Sequence, residues 1–580
     1  MKRCPHCNRV ETDATLRFCR HDGTPLVSDS SSHADQIGTA RLGSGSTGPE
    51  TETTILPHQT GATVNRATGP TTLLPPQPLL ATTKQPARKR KGLIAVVAAT
   101  LLIAIAISGY FIAKTRVPGK GKTIESVAVL PFENKSGNAD SEYLSDGLAE
   151  SLIYRLSQLS NLKVSPRSSA FRYKGQSIDA EKIGNELGVD AVMSGRLIQR
   201  GEDLVISVDL IDVHDKKTIW GEQFQRKMSD LLATQSEIAA AIADKLQLRL
   251  SGNESKGIAK QITSNNEAYQ LYLQGRYFWN KRSSEDLKKA TEHMKAATEK
   301  DPTFALAYAG LADCYAVSYY YARVPPRELM PLARTYAAKA IELDPTLAEP
   351  HATLGFVTWL LDWDRAGGEK ELLRAIELNP KYPTAHHWYS RYLRGIGRLD
   401  DASREIKRAE ELDPLSLVII NNLAEIYVDK GDLDSAVKEC KRMMDLDPNF
   451  WAAHQTLGIV SVKQGNYAEA LVEAKKSVQL ANRSNASLAL LGHVYAKLGR
   501  QIEAEGVIKE LEQRYANKEA DGRDLAVALA GFDNKDKAFA WLEKSFDDHS
   551  VFIVFLKLEP LLESLHTDQR WNDLEHRVWN

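Results

Sequence analysis

Residues 380–450 read PKYPTAHHWYSRYLRGIGRLDDASREIKRAEELDPLSLVIINNLAEIYVDKGDLDSAVKECKRMMDLDPNF, and this stretch decides the fold of most of the chain. Glycines recur every 34 residues around it, at Gly397, Gly431, Gly465 and Gly499. Alanines recur at the same interval, at Ala402, Ala436, Ala470 and Ala504. A period of this length predicts stacked helix–turn–helix repeats, in which Gly ends the first helix and the small residues let two helices cross closely.

A 34-residue helical period is the signature of the tetratricopeptide repeat. Prolines preceded by Asp or Asn mark the repeat junctions, at Pro302, Pro345, Pro380, Pro414 and Pro448. The first interval between them is 43 residues, which we attribute to an insertion over residues 318–327. The pattern predicts an all-α solenoid of six to eight repeats over residues 264–580, including a C-terminal cap.

The first helix of each repeat is expected to line the concave side of this solenoid. Spacings of three, four and seven residues place one set of side chains on that side. The set is Phe356, Trp359, His387, Arg391, Arg394, Asn421, Glu425 and Gln455. The two arginines and two amides suit a peptide carboxylate or backbone, and the two aromatic residues suit an apolar anchor. Ordinary packing between repeats is the alternative for any one of them, but the set as a whole predicts binding of proteins or peptides.

Upstream, residues 124–250 have the pattern of an α/β domain. An apolar β-rich run at 126–132 is followed by an amphipathic helix over 143–159. Three further strands are predicted at 191–198, 204–213 and 218–224, because turn residues separate them. An amphipathic helix over 231–250 closes the unit.

Four segments of this region resemble the TolB-like N-terminal (FlgO-like) domain family. They are residues 127–134 (VAVLPFEN), 143–150 (YLSDGLAE), 189–197 (VDAVMSGRL) and 220–224 (WGEQF). The ending PLLESL at 560–565 with RWNDL at 570–574 is similar to the usual C-terminus of bacterial membrane-anchored tetratricopeptide proteins with this domain. The resemblance implies an adaptor or sensor role and designates no catalytic residue.

A single transmembrane helix is predicted at residues 92–113. These 22 residues, GLIAVVAATLLIAIAISGYFIA, contain no charged side chain and would span about 33 Å as a helix. The cluster Arg88-Lys89-Arg90-Lys91 favours a cytoplasmic N-terminus. We therefore expect a single-pass protein of the bacterial inner membrane, with residues 114–580 in the periplasm.

The N-terminal residues 1–27 have the spacing of a small zinc ribbon. Cys4 and Cys7 form a C-x-x-C pair that can bind one Zn²⁺ through both thiolates, and Cys19 supplies a third. The fourth ligand is Asp22 or His21, because no fourth cysteine follows. The segment C-P-x-C…F-C-x-x-D-G resembles short bacterial zinc ribbons, and the metal is expected to be structural, since a module this small has no core of its own.

Between the ribbon and the membrane helix, residues 28–91 are expected to be a disordered linker. Of residues 28–87, 31 are Ser, Thr, Gly or Pro, so the segment cannot bury enough apolar surface to offset its ordering entropy. Residues 1–122 carry a net charge of +9 and the remainder carries −10. An acidic body of this kind does not predict a nucleic-acid interface, which needs a cationic face.

No motif of an enzyme is found, so the sequence favours a multidomain, non-catalytic protein: zinc ribbon, membrane helix, α/β domain and all-α solenoid. The first hypothesis is a membrane-anchored scaffold that binds protein partners through the groove and the α/β domain. The alternative is a one-component transmembrane sensor that relays an extracytoplasmic signal to the cytoplasmic ribbon. The sequence identifies no small-molecule ligand.

Overall fold

The computed structural model describes residues 124–246, 248, 251–252, 260, 262–281, 283–321, 325–532 and 534–579, together with three short N-terminal strands. The chain forms two compact units, Met1–Ile103 and Ala104–Asn580. In the first unit the strands are β1 (Lys2–Arg3), β2 (Val10–Glu11) and β3 (Val27–Ser28). They form an antiparallel sheet in the order β2-β1-β3.

The expected zinc ligands Cys4, Cys7, Cys19, His21 and Asp22 all lie outside the described residues. The linker beyond Ser28 and the predicted membrane helix at 92–113 lie outside them as well. Among the residues that are described, no helix has both the length and the apolar character required to cross a bilayer.

The α/β region of the second unit is a mixed six-stranded sheet with helices on both faces. Its elements are β4 (Ser126–Val129), β5 (Glu133–Asn134), α1 (Glu142–Ser157), β6 (Lys163–Val164), α2 (Arg167–Ala170), α3 (Ala180–Leu187), β7 (Ala191–Arg200), β8 (Asp203–Asp212), β9 (Lys217–Lys227) and α4 (Leu231–Lys245). The strand order is β6-β4-β7-β8-β9, with β5 paired to β7. Strand β4 is parallel to its neighbours, whereas β7, β8 and β9 form an antiparallel meander.

Apolar side chains at every second position of the strands determine which face of this sheet is buried. In β8, Leu204, Ile206, Val208 and Leu210 are at most 1% exposed, and they share one core with α1 and α4. Helix α3 covers the other face only near β4 and β7. The three long strands and two main helices predicted from the sequence are present, although α4 ends at Lys245 and not at residue 250. The short elements β5, β6, α2 and α3 were not predicted.

The remainder of the second unit is a tetratricopeptide solenoid. Its helices form successive pairs: α5 (Asn266–Lys281) and α6 (Ser284–Lys300), α7 (Ala305–Tyr321) and α8 (Pro326–Leu343), α9 (Ala348–Asp362) and α10 (Arg365–Leu378), α11 (Pro383–Gly395) and α12 (Leu399–Leu412), α13 (Leu417–Asp429) and α14 (Leu433–Leu446), α15 (Trp451–Lys463) and α16 (Tyr467–Leu480), α17 (Asn485–Lys497) and α18 (Gln501–Ala516), α19 (Gly522–Ala530) and α20 (Lys535–Asp547). Two 3₁₀ helices, Ile553–Leu558 and Pro560–Leu565, and α21 (Gln569–Trp579) end the chain.

The repeating glycines end the first helix of their pairs, as predicted. Gly397, Gly431, Gly465 and Gly499 have φ between 69° and 81°, a left-handed conformation that a side chain disfavours. The expected insertion near residues 318–327 is largely absorbed by longer helices, since α7 has 17 residues and α8 has 18, compared with 13 and 14 in the pair α13 and α14.

The α/β region and the first repeat share a continuous core, so the junction between them is rigid. Tyr269 and Leu273 of α5 are buried in the same cluster as the apolar side chains of α1. At the edge of this core, Glu150 of α1 accepts hydrogen bonds from Arg276 at 2.6 Å and from Asn280 at 3.0 Å. Arg167 also pairs with Glu150, at 2.9 Å.

Farther along, the α/β region packs against the turns between repeats. The Nζ of Lys381, in the turn after α10, donates to three carbonyl oxygens just beyond the end of α1, at 2.7–3.0 Å. Asp413, in the turn after α12, accepts hydrogen bonds from Ser168 and Ser169 of α2. These contacts cover the turn edge of the solenoid with the α/β region and leave its inner face to line a cavity.

Candidate binding groove

The first helices of the repeats line one cavity of about 1450 Å³, here called the inner groove. Seven of the eight predicted side chains border it: Phe356, His387, Arg391, Arg394, Asn421, Glu425 and Gln455. They come from α9, α11, α13 and α15, so the repeat periodicity correctly identified the helix face that is turned inward. Trp359 is the exception.

Trp359 is fully buried, and its expected role as an exposed apolar anchor is not compatible with this position. Its ring makes edge contacts with Tyr392 at 5.5 Å and with Phe555 at 5.2 Å. Phe356 is 2% exposed and stacks on Trp388 at 4.8 Å. Both residues belong to an aromatic core because the C-terminal segment folds over this part of the inner face.

Arg394 lies in the wall of the groove as part of an ion-pair network between repeats. Its guanidinium contacts Glu425 at 2.6 Å and Asp429 at 2.5 Å, both from the next first helix, α13. The Arg394 side chain is 11% exposed and that of Asp429 is 1% exposed. Arg394 therefore already binds two carboxylates of its own chain, which differs from the expected role in binding the carboxylate of a peptide.

The two predicted amides also connect neighbouring repeats. Asn421 donates to Glu425 at 2.8 Å and accepts from the Thr456 hydroxyl at 3.0 Å. Gln455 donates to the Ala486 carbonyl at 3.1 Å and accepts from the Ser477 hydroxyl at 3.1 Å. These bonds connect the helices that form the walls of the groove.

Residues 549–565, here called the C-terminal strap, form the remaining wall. His549 stacks on Trp363 of the α9–α10 turn at 3.7 Å, and the Phe552 ring lies 5.7 Å from that of Tyr319 in α7. Near the other end of the strap, Glu559 forms an ion pair with Arg523 of α19. The strap thus connects the early repeats of the solenoid with the late ones.

The strap is a fixed part of the structure rather than a movable lid. Seven of its eight aliphatic side chains are almost completely buried, namely Val551, Ile553, Val554, Leu556, Leu561, Leu562 and Leu565. At about 1.5–3 kcal/mol for each buried aliphatic side chain, their removal to water costs roughly 10–20 kcal/mol. A typical domain is stable by only about 5–15 kcal/mol, so release of the strap would unfold the solenoid.

Two carboxyl groups in or near the groove are strongly affected by burial. Burial raises the pKa of Asp524, in the first turn of α19, to about 6 against the opposing effect of Arg523. Burial, with the nearby charge of Asp313, raises the pKa of Glu349 to about 7. Burial also raises the pKa of the thiol of Cys440, a free cysteine in α14, to about 12.

Three histidine–glutamate pairs were not predicted from the sequence. His351, His386 and His454 each place Nδ1 within 2.6–2.7 Å of a glutamate on the second helix of the same pair. Their positions differ by 35 and 68 residues, close to one and two repeat periods, and this spacing was the available signal. The adjacent His387 borders the groove but is only 8% exposed.

In the described part of the chain, no group of three or more His, Cys, Asp or Glu side chains could hold a metal ion. Hydrogen-bonding, charged and aromatic side chains line the groove. Its geometry is that of a binding surface formed by several repeats.

Two family models match the chain. Residues 418–450 match a tetratricopeptide repeat, which confirms the predicted repeat family for the solenoid. Residues 122–241 match the second domain of HilA/YgeH-like transcriptional regulators, so the α/β region is similar to that domain.

Curated relatives match the chain over part of its length. The putative adenylate cyclase 3 of Rhizobium meliloti is 30% identical over 244 residues, which are 42% of this chain and 41% of that protein. The transcriptional regulator HilA of Salmonella typhimurium is 23% identical over 303 residues, 51% of this chain and 52% of HilA. The chain thus spans about half the length of these relatives or less.

Solved structures of repeat proteins are also similar, at low scores. A structure from the functional characterization of Pseudomonas aeruginosa pilF has a TM-score of 0.30 and 19% identity, and the match covers 37% of this chain and 93% of that one. The human IFIT1 dimer with m7Gppp-AAAA has a TM-score of 0.40 and 14% identity, and the match covers 60% of this chain and 87% of that one.

Proposed function

We propose that this protein is a membrane-anchored interaction scaffold that binds protein partners in the inner groove and catalyses no reaction. The observation that carries the proposal is the groove itself, whose seven predicted side chains border one cavity of about 1450 Å³. Small-molecule sites usually enclose roughly 300–1000 Å³, so a segment of a protein suits this volume better. Hydrogen bonds and ion pairs between repeats hold the walls in place before a partner binds.

The TolB-like α/β domain adds a second surface to this scaffold. It is joined to the first repeat through a common core and to the later repeats through Lys381 and Asp413. A partner bound in the groove and another on the α/β domain would therefore be held at a constant separation. Interaction through repeats of this type is the function that the family match to a tetratricopeptide repeat supports.

The proposed anchor is the apolar segment at residues 92–113, which would place residues 114–580 in the periplasm of a bacterial cell. The N-terminal ribbon would then be cytoplasmic and would bind a structural Zn²⁺ through Cys4, Cys7, Cys19 and either Asp22 or His21. Thiolates and an imidazole or carboxylate are the donor groups that zinc prefers, which supports this part of the proposal.

A transmembrane sensor is the second candidate function. It is favoured by the similarity of residues 122–241 to the second domain of transcriptional regulators. The relatives are named for two different activities, transcriptional regulation and adenylate cyclase, as would fit a regulatory module used with different output domains. Deletion of residues 1–27 separates the two functions: a sensor loses its output, whereas a scaffold still binds its partners.

Photo-crosslinking from the groove tests the scaffold function. A photoreactive amino acid is placed at Val418, which borders the groove and is 45% exposed, in the full chain in its native host. The matched control is Val472, which is 64% exposed on α16 and does not border the groove. We expect specific protein adducts from position 418 and none from position 472. Equal adducts at both positions, or none at 418, would contradict the proposal.

A further inference from the structure

The C-terminal strap presents an apolar ridge to the inner groove. A 3₁₀ helix has three residues per turn, so every third side chain points the same way. Phe552, Phe555 and Leu558 have this spacing, border the groove and are partly exposed. Between them, Ile553, Val554 and Leu556 face the solenoid core and are at most 2% exposed, whereas Lys557 is exposed and pairs with Glu575.

The side chains around the rest of the groove carry an excess of negative charge. Ten Asp or Glu residues border the groove, compared with five Lys or Arg residues. Two of those cations pair with four of the ten carboxylates: Arg394 with Glu425 and Asp429, and Arg523 with Asp524 and Glu559. The remaining acidic side chains that border the groove still outnumber the basic ones, by six to three. The groove therefore combines an apolar ridge with walls of net negative charge.

We propose that the inner groove binds an extended segment of a partner protein in which apolar and cationic side chains alternate. Successive side chains of an extended chain point to opposite sides, so one set would contact the ridge of the strap and the other would contact the carboxylates. The charge of the walls favours Lys or Arg in the second set over Asp or Glu. This inference rests on the proposed function and specifies the chemistry of the partner.

The specific consequence is that the strap supplies part of the binding surface, in addition to closing the solenoid. Phe555 lies at the centre of the ridge, with the guanidinium groups of Arg391 and Arg394 at 5.4 and 5.9 Å from its ring. An apolar side chain of the partner would pack against the side of the ring that faces the groove. Shortening Phe555 therefore weakens binding even though all the groove helices are retained.

The test is fluorescence anisotropy with the full chain and a capped peptide of about twelve residues that alternates Leu and Lys. One comparison peptide replaces every Lys by Glu, and another has the same composition with Leu and Lys in two separate blocks. We expect the alternating Leu–Lys peptide to bind at least about tenfold more tightly than either comparison peptide. Its affinity should fall with added salt, because part of the attraction is between charges.

Substitutions locate the binding site on the protein. Phe555→Ala and, separately, Leu558→Ala are each expected to weaken binding of the Leu–Lys peptide by about tenfold. Ile502→Ala removes an apolar side chain that is 85% exposed and does not border the groove, and it should leave the affinity unchanged. Circular dichroism checks that each variant is folded, and the Leu558 variant serves if the Phe555 variant is not.

The charge of the walls is tested separately. The double variant Glu519→Gln with Asp548→Asn neutralises two groove carboxylates and should weaken binding of the Leu–Lys peptide severalfold. Glu512→Gln on α18 is the control, because Glu512 is exposed and does not border the groove.

Each adverse outcome has a distinct meaning. If the Leu–Glu peptide binds as tightly as the Leu–Lys peptide, the inference about charge is wrong. If Phe555→Ala and Leu558→Ala both leave binding unchanged, the ridge is not part of the site. If no peptide binds, the inference is overturned, whereas adducts at Val418 would still support the proposed scaffold function.

Discussion

The turn edge of the solenoid and its inner face are built from the same repeats, yet they are covered in different ways. The turn edge contacts the α/β region through polar side chains such as Lys381 and Asp413 and through a few aliphatic ones, Leu347 and Leu415. The inner face contacts the strap mainly through aromatic and aliphatic groups, with Trp359 at the centre. Repeat positions therefore determine where each surface lies, and the segment packed on it, the α/β region or the strap, determines how each surface is covered.

The largest effect is expected on the inner face. Trp359→Ala removes a fully buried indole that contacts Tyr392 and Phe555, and it should lower the free energy of unfolding by about 3–5 kcal/mol. Trp451→Ala is the matched control, since Trp451 borders the groove and is only half-buried. Urea denaturation of the full chain measures the free energy of unfolding of both variants. Equal decreases would contradict the claim that the aromatic core under the strap contributes more to stability than an aromatic side chain at the groove surface.

The second largest effect on stability is expected at the junction with the α/β region. Glu150→Gln removes the carboxylate that pairs with the largely buried Arg276 and leaves Arg167 only the more distant Asp146, at 4.0 Å. The substitution should lower the free energy of unfolding by about 3 kcal/mol. The control Glu133→Gln breaks an exposed pair with Lys135 and should cost less than about 1 kcal/mol. Urea denaturation measures both variants. If Glu150→Gln lowers the free energy of unfolding as little as Glu133→Gln does, the ion pairs at the junction do not stabilise it.

A pH-dependent effect is expected at Glu349. Its pKa is raised in the folded protein to about 7 from 4.5, so its contribution to stability is present below pH 4.5 and is lost as the pH rises through 7. Glu349→Gln lacks this titration. The free energy of unfolding of the variant, relative to that of the native chain, should therefore increase by about 2–3 kcal/mol between pH 4.5 and pH 8. A difference in unfolding free energy that does not change across this range would refute the raised pKa.

The smallest effect is expected at the turn edge. Asp413→Ala leaves Ser168 and Ser169 without their acceptor and should cost about 1–2 kcal/mol. Asp447 occupies the equivalent position one repeat later, and among the described residues its side chain accepts only from the Asn449 backbone, within its own turn. Asp447→Ala is thus the matched control. A smaller loss at Asp413 than at Asp447 would show that the α/β region gains little from this contact.

The repeats and the long strands could be predicted because their signals are periodic and local. The spacing of glycines and alanines defined the helix pairs, and the turn residues on either side of 204–213 defined a strand there. The inward-facing side chains followed from the same spacing, which is why seven of the eight border the groove.

The partners of those side chains could not be predicted from one helix at a time. Arg394 pairs with Glu425 and Asp429, which are 31 and 35 residues away, so the contact becomes visible only when neighbouring repeats are aligned. The burial of Trp359 depends on the return of the strap from the far end of the chain. Long-range folding of this kind has no local pattern, although the three-residue spacing of Phe552, Phe555 and Leu558 is visible in the sequence.

The central claim, that the inner groove holds a protein partner, is tested most directly by hydrogen exchange. Exchange is measured on the full chain, alone and saturated with a partner recovered by crosslinking from Val418. The account predicts slower exchange in α11, α13 and α15 and in the strap, with no change in the edge strand β9. Slower exchange confined to β9 and its neighbouring strands would contradict the claim and would place the partner on the α/β region.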